Sequence, residues 1–318
     1  MPEAGVTLPS FRSRRSVIGA AASAILTVLA WNPQLALAGD DGVSRGERLF
    51  RASGGCGCHI GVELETEAEG LDLGGGRTIE TPYGSFYATN ISPDVETGIG
   101  TWSVEDFIRS MQDGRAPDGS AYYPVFPYPA FTGMSDADLR DLWAYLRSLP
   151  AVRRPDSPHE LTFPYSMRLS ASIWQLLFFS PERYRAPADV SPEVARGGYL
   201  TNSVGHCQEC HTPRTAFGTL DLSMYLAGAA ETPDGELAPN ITPDNSTGIG
   251  EWTPQDITWL LRTGFKPDGD DLQGVMAELI EVGYSRMPRE DRDAIAAYLG
   301  TVKPVVHRVS RPDASAQD

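Results

Sequence analysis

Apolar residues recur at helical spacing towards the end of each half of the chain: Leu139, Leu142, Tyr145 and Leu146, then Ile295, Tyr298 and Leu299. A period near 3.6 puts each set on one face and predicts two half-buried terminal helices. Two middle helices are predicted from their starts. Ser103 and Thr253 can each cap an N-terminus, with Asp106 or Asp256 three residues on, and Pro254 holds the favoured first helical position. Earlier short helices are predicted over residues 45–52 and 192–201. In the first, Gly46 with Phe50 one turn later makes a notch that a tyrosine of the terminal helix can fill. Tyr145 and Tyr298 are therefore read as core packing. Between the halves, residues 170–179 hold Ile173, Trp174, Leu176, Leu177, Phe178 and Phe179, too apolar to be left in water. They predict a short helix wedged between the halves, with a partner-docking face as the other reading. The segment after Pro304 is polar and reads as disordered.

The same pattern is written twice. Asn90-Ile91-Ser92-Pro93-Asp94 recurs as Asn240-Ile241-Thr242-Pro243-Asp244, and Thr97-Gly98-Ile99-Gly100 with Trp102 recurs as Thr247-Gly248-Ile249-Gly250 with Trp252. Arg45-Gly46, Pro117-Asp118-Gly119 and Ala144-Tyr145-Leu146 return as Arg196-Gly197, Pro267-Asp268-Gly269 and Ala297-Tyr298-Leu299. The offset stays near ~150 residues throughout, the mark of a duplicated domain. The expected organisation is a leader over 1–38, a first domain over 39–150, a connector over 151–190, a second domain over 191–303 and a tail over 304–318. Asp94 and Glu96 lack the regular ligand ladder of a calcium loop, so turn chemistry is the better account of that stretch.

Charge narrows the partners. The formal net charge is −16 across 318 residues, which excludes a nucleic-acid partner and favours a protein with a basic docking face through electrostatic steering. At the N-terminus Arg12, Arg14 and Arg15 precede an apolar run over 17–30 and then Ala36-Leu37-Ala38, a small-x-small cleavage site. The run is too short for a membrane span and no later segment approaches that length, so cleavage after Ala38 predicts an exported, periplasmic protein with no membrane span in the mature chain.

The candidate chemistry sits in Gly205-His206-Cys207-Gln208-Glu209-Cys210-His211. Cys207, Cys210 and His211 form C-x-x-C-H, the pattern that attaches haem c. Two thiols add to the two vinyl groups of one porphyrin, and the adjacent imidazole becomes the proximal ligand of the iron. A zinc site would need a second ligand pair at similar spacing. The only other cysteines, Cys56 and Cys58, precede His59 with a single glycine between them. Two haems are expected. In the first repeat the shorter spacing leaves Cys58 as the safer link, with Cys56 strained, unattached or free.

On these residues the chain resembles the two-domain, dihaem c-type cytochromes, including cytochrome subunits of periplasm-facing alcohol, aldehyde and gluconate dehydrogenases. The Asn-Ile-(Ser/Thr)-Pro-Asp…Thr-Gly-Ile-Gly signature and residues 205–214 carry the likeness. It implies an all-α chain of two tandem class I cytochrome c domains joined by a partly helical connector, and an electron-transfer role. It also implies a distal methionine in a loop ahead of each terminal helix. Met276, in Gly274-Val275-Met276-Ala277-Glu278, fits that place, while Met287 lies too close to the helix and reads as packing.

The first repeat departs from the family. Opposite Met276 stands Phe126, which cannot bind iron. Met134 is the nearest substitute, yet it precedes Ser135 and also reads as the staple partner of Leu139. Met111 reads as core, and His159 and His307 as solvent-facing. His206 is expected to shape the edge of the haem pocket. The expected function is a carrier of single electrons from a dehydrogenase, of which it is a possible subunit, or from another donor, to a respiratory acceptor. Two alternatives remain open at this point: a haem enzyme with an open iron at His59 acting on peroxide or a sulfur oxyanion, and a monohaem cytochrome whose first domain is structural.

Overall fold

A computed structural model describes residues 38–61, 71–232 and 235–310. The leader expected over 1–38 lies outside the described residues up to residue 37, as does the tail expected over 304–318 beyond residue 310. In chain order the helices are α1 (Ala38–Ala52), α2 (Val104–Asp113), α3 (Tyr128–Phe131), α4 (Asp136–Ser148) and α5 (Leu169–Phe178). They continue as α6 (Pro192–Tyr199), α7 (Gln208–His211), α8 (Pro254–Thr263), α9 (Gly274–Val282) and α10 (Arg289–Leu299). Three short strands are β1 (Thr78–Thr81), β2 (Gly84–Tyr87) and β3 (Glu160–Leu161).

The predicted notch is present in both repeats. α1 packs on α4 and α6 on α10. A Cβ on Gly46 would stand 2.0 Å from the Asp141 carbonyl oxygen and 2.8 Å from Tyr145 Cβ. On Gly197 it would stand 1.8 Å from the Ala294 oxygen and 2.8 Å from Tyr298 Cβ. Only glycine lets the two backbones meet this closely. Phe50 fills the notch against Tyr145, ring centroids 5.2 Å apart. One ion pair guards each crossing: Arg45 to Asp141 at 2.6 Å and Arg196 to Asp291 at 2.8 Å.

The caps also follow the sequence. The Ser103 hydroxyl accepts the Asp106 N–H and the Asp106 carboxylate accepts the Ser103 N–H, a reciprocal capping box that Thr253 and Asp256 repeat. The duplicated signature is a latch. Asn90 Nδ2 donates to the Val152 carbonyl at 2.7 Å, and Asn240 Nδ2 to the Val305 carbonyl at 2.8 Å. Asp94 and Asp244 accept the N–H and hydroxyl of Thr97 and Thr247. Each loop thereby ties down the strand of chain that leaves the terminal helix. The hydrophobic core is shared: Phe50, Met134 and Leu139 of the first repeat lie in one cluster with Leu200, Leu226 and Ile295 of the second.

Four expectations need correction. The chain is not all-α: β1, β2 and β3 form an antiparallel sheet, with Ile79 opposite Phe86 and Gly84 opposite Leu161. The third strand comes from the connector, which is thus pinned to the first repeat. The α5 helix is not wedged away from water. It rests on its small and polar side, with Ala171 buried and Gln175 Nε2 donating to the Gly114 carbonyl at 2.8 Å. The large apolar residues lie on the remaining sides of the helix, so this packing leaves Leu176 83 % and Leu177 64 % exposed. Beyond Pro304 the chain stays ordered through residue 310. His307 N–H donates to Thr247 Oγ1 at 2.9 Å, and its ring packs with Nδ1 2.8 Å from the Ala227 carbonyl instead of facing solvent. Finally, Met276 lies in the first turn of α9 and not in a loop.

Candidate functional site

His211 ends α7, and its N–H reaches back to the Cys207 carbonyl at 2.9 Å. This single helical turn brings Cys207, Cys210 and the imidazole to one place. His211 Nδ1 lies 2.8 Å from the Pro239 carbonyl oxygen. A carbonyl only accepts, so the proton is on Nδ1 and the Nε2 lone pair is left for a metal. His59 is held the same way, Nδ1 2.7 Å from the Thr89 carbonyl. Burial lowers the pKa of both rings while the carbonyls oppose it. Both stay neutral, the form that ligates.

None of the four cysteines forms a disulfide. Burial pushes the Cys207 thiol up to about 12 and the Cys56 thiol up to about 11. Among the described residues no three His, Cys, Asp or Glu side chains gather as a metal cluster. Thiols outside any disulfide, next to an imidazole with a bare Nε2, fit a covalently tethered iron porphyrin.

The shortened motif changes the local backbone. Gly57–His59 makes a 3-10 turn where the second repeat has α7. Its approach runs through three left-handed residues, Gly54, Gly55 and Cys56, with φ of 75°, 71° and 52°. Such angles suit glycine and strain Cys56. The two sulfurs serve different surroundings: Cys56 packs on the main core and Cys58 on a smaller cluster of Ile79, Phe86 and Tyr123. Cys56 Sγ also lies 3.7 Å from the Ser53 hydroxyl.

Met276 is half-buried against the main core, and its helix α9 lays Leu279 and Val282 over Gly54 and Gly55 of the first repeat. Phe126 sits among aromatic rings, 5.4 Å from Tyr122 and 5.6 Å from Phe131. Phe131 in turn meets His206 at 5.2 Å, edge to face. Each repeat thus covers the cysteine segment of the other. Met134 is 1 % exposed just ahead of α4, and Met287 is 2 % exposed in the matching place ahead of α10. Met111 is likewise buried.

Sequence reasoning missed several groups here. Glu209, between the two cysteines, is buried and paired with Arg214 at 2.6 Å. Burial raises its pKa and Arg214 lowers it. The Tyr225 hydroxyl donates to Asn202 Oδ1 at 2.6 Å and lies 3.1 Å from the Tyr298 hydroxyl. His159 does not face solvent. It lines a cavity of about 580 Å³ with Thr89, Tyr123 and Arg168. Its Nδ1 accepts the Tyr87 N–H at 3.2 Å, which puts the proton on Nε2 and leaves the neutral ring no lone pair to offer iron.

No family model matches the chain. It is 42 % identical over 262 residues to a dihaem c-type cytochrome of Cereibacter sphaeroides, covering 82 % of this chain and 86 % of that protein. It is 35 % identical to the cytochrome c subunit of a quinone alcohol dehydrogenase of Gluconobacter oxydans, covering 83 % of this chain and 55 % of that one. It is also 35 % identical to the gluconate 2-dehydrogenase cytochrome c subunit of Pantoea cypripedii, covering 82 % and 60 %. The chain therefore spans little more than half the length of these two dehydrogenase subunits. Among the described residues no helix is long and apolar enough to cross a membrane. With paired imidazoles, cysteines outside any disulfide ahead of each and this identity across most of its length, the chain belongs to the dihaem c-type cytochromes.

Proposed function

We propose that the chain carries single electrons through two haem c groups, one in each repeat, over 39–150 and 191–303 with 151–190 joining them. Cys207, Cys210 and His211 hold one, with Met276 as its distal ligand. Cys58 and His59 hold the other through one thioether, Cys56 remaining a thiol against the core. Bound haem supplies a reversible one-electron iron couple. The polypeptide supplies tethers, imidazoles of fixed tautomer, and a dry surrounding. Met134 serves as core: it is as deeply buried as Met287, and it packs with Leu139 as a staple.

The observation that carries this reading is the matched seating of His59 on Thr89 and His211 on Pro239. The chain is exported, cleaved after about Ala38, and exchanges electrons in the periplasm between a dehydrogenase, as a subunit or as a soluble partner, and a respiratory acceptor. Its acidity favours a basic docking face on those partners. An anaerobic redox titration of the purified holoprotein followed by its visible spectrum is expected to give two one-electron couples. Absence of any reversible couple refutes the reading.

Phe126, standing in sequence where the second repeat has Met276, favours a second reading, in which the iron at His59 takes an exogenous small ligand. A reduced spectrum that shifts under carbon monoxide supports it, and an unmoved spectrum refutes it.

A further inference from the structure

Thr89 C=O and Asn90 N–H are the two ends of one peptide group. The carbonyl end accepts from His59 Nδ1 at 2.7 Å, and the N–H end donates to Asp156 Oδ1 at 2.7 Å. A carboxylate is thus connected to the imidazole through a single amide. Hydrogen bonds in series polarise one another. A negative charge on the N–H drives electron density onto the carbonyl oxygen, which then draws harder on the Nδ1 proton. The ring gains imidazolate character and becomes a stronger donor through Nε2. Outer partners of this kind tune the metal that a histidine binds.

Among the described residues no carboxylate makes this connection in the second repeat. His211 Nδ1 lies 2.8 Å from the Pro239 carbonyl, and Asn240 supplies the N–H end of the same peptide. The register between repeats is fixed by two bonds. Asn90 Nδ2 reaches the Val152 carbonyl as Asn240 Nδ2 reaches that of Val305, and Arg154 N–H reaches Thr97 Oγ1 as His307 N–H reaches Thr247 Oγ1. Four residues past Val152 stands Asp156, and four past Val305 stands Val309. Valine has no acceptor, and Val309 Cγ2 instead packs over Gly228, 2.6 Å from where a Cβ would be. The arginines just before Asp156 are engaged elsewhere, Arg153 with Glu96 and Arg154 with Asp72 at 2.8 Å. They do not neutralise the carboxylate facing Asn90.

We propose that Asp156 is a positioning residue that acts through the Thr89–Asn90 peptide to make His59 the more electron-donating of the two proximal ligands, setting the first repeat's haem at the lower potential. This rests on the reading that His59 carries a haem. Richer donation stabilises the ferric state, so the chain has a built-in difference between its two couples, and at equilibrium the electron resides on the haem of His211.

The test uses the full chain, exported and loaded by its attachment machinery, titrated by spectroelectrochemistry. The upper couple is assigned by the thioether-to-iron absorption that Met276 provides. Asp156→Asn is expected to raise the lower couple by about tenfold in its reduction equilibrium constant, or ~59 mV for one electron, and to leave the upper couple in place. Asp156→Glu is expected to retain most of the original gap, and Val309→Asp to pull the upper couple down. Two couples that keep their spacing in Asp156→Asn overturn the inference alone. Should that variant not accumulate, an unmoved upper couple in Val309→Asp overturns it equally. A single couple in the unmodified chain overturns both the reading of His59 and the inference.

Discussion

Phe131 of the first repeat stands edge-on to His206 of the second, ring centroids 5.2 Å apart, next to Cys207. The contact is reciprocated from the other side, where Leu279 and Val282 of α9 cover the glycines before Cys58. The two redox sites are therefore built partly from each other's repeat. Phe131 is buried in the common core. Phe131→Ala is expected to cost about 3–5 kcal/mol by cavity formation, read by denaturant unfolding of the holoprotein. A loss under 1 kcal/mol speaks against a shared core.

The helix crossings depend on glycine. Gly46→Ala and Gly197→Ala each place a methyl about 2 Å from a main-chain oxygen (2.0 and 1.8 Å). Each is expected to destabilise by at least ~1–3 kcal/mol, the usual cost of overpacking, and to lower the yield of haem-loaded protein. Wild-type stability in either variant contradicts the notch.

Acid should act on the two latches together. Hydrogen bonds from Thr97 hold the Asp94 carboxyl below the usual aspartate range, and those from Thr247 do the same for Asp244. A depressed folded-state pKa means stability that is present above the ordinary aspartate value and is lost as pH falls through the lowered one. Asp94→Asn with Asp244→Asn is expected to flatten the acid limb of the stability profile. An unchanged acid limb in the double variant removes the latches from the account.

On the proposed reading, Phe126→Met puts a thioether where the second repeat has Met276. It is expected to add a second thioether-to-iron absorption and to raise the lower couple by at least tenfold in its equilibrium constant, about 59 mV. Unaltered potentials would mean that position 126 does not face the iron.

Much of this architecture was legible in the residues. The Ser103 and Thr253 caps depend only on neighbours one turn away, while the repeated Asn-Ile-(Ser/Thr)-Pro-Asp stretch and the Gly46 and Gly197 notches were legible because each is written twice at the same offset. The exposure of α5 was not legible: hydrophobicity says that Leu176 prefers burial, but only the docking of Ala171 and Gln175 decides which side faces in. β3 pairs Glu160 and Leu161 with residues 84 and 85, a long-range choice that two residues cannot announce. Asp156 reads as an ordinary loop acid until the fold brings it to the Asn90 N–H.

The most direct test is the intact mass of the secreted chain, made with its haem-attachment machinery and separated in acidified organic solvent. The account predicts the polypeptide from about Gly39 carrying the added mass of two haems that do not extract. A mass equal to the bare polypeptide, with all pigment released into the solvent, contradicts it.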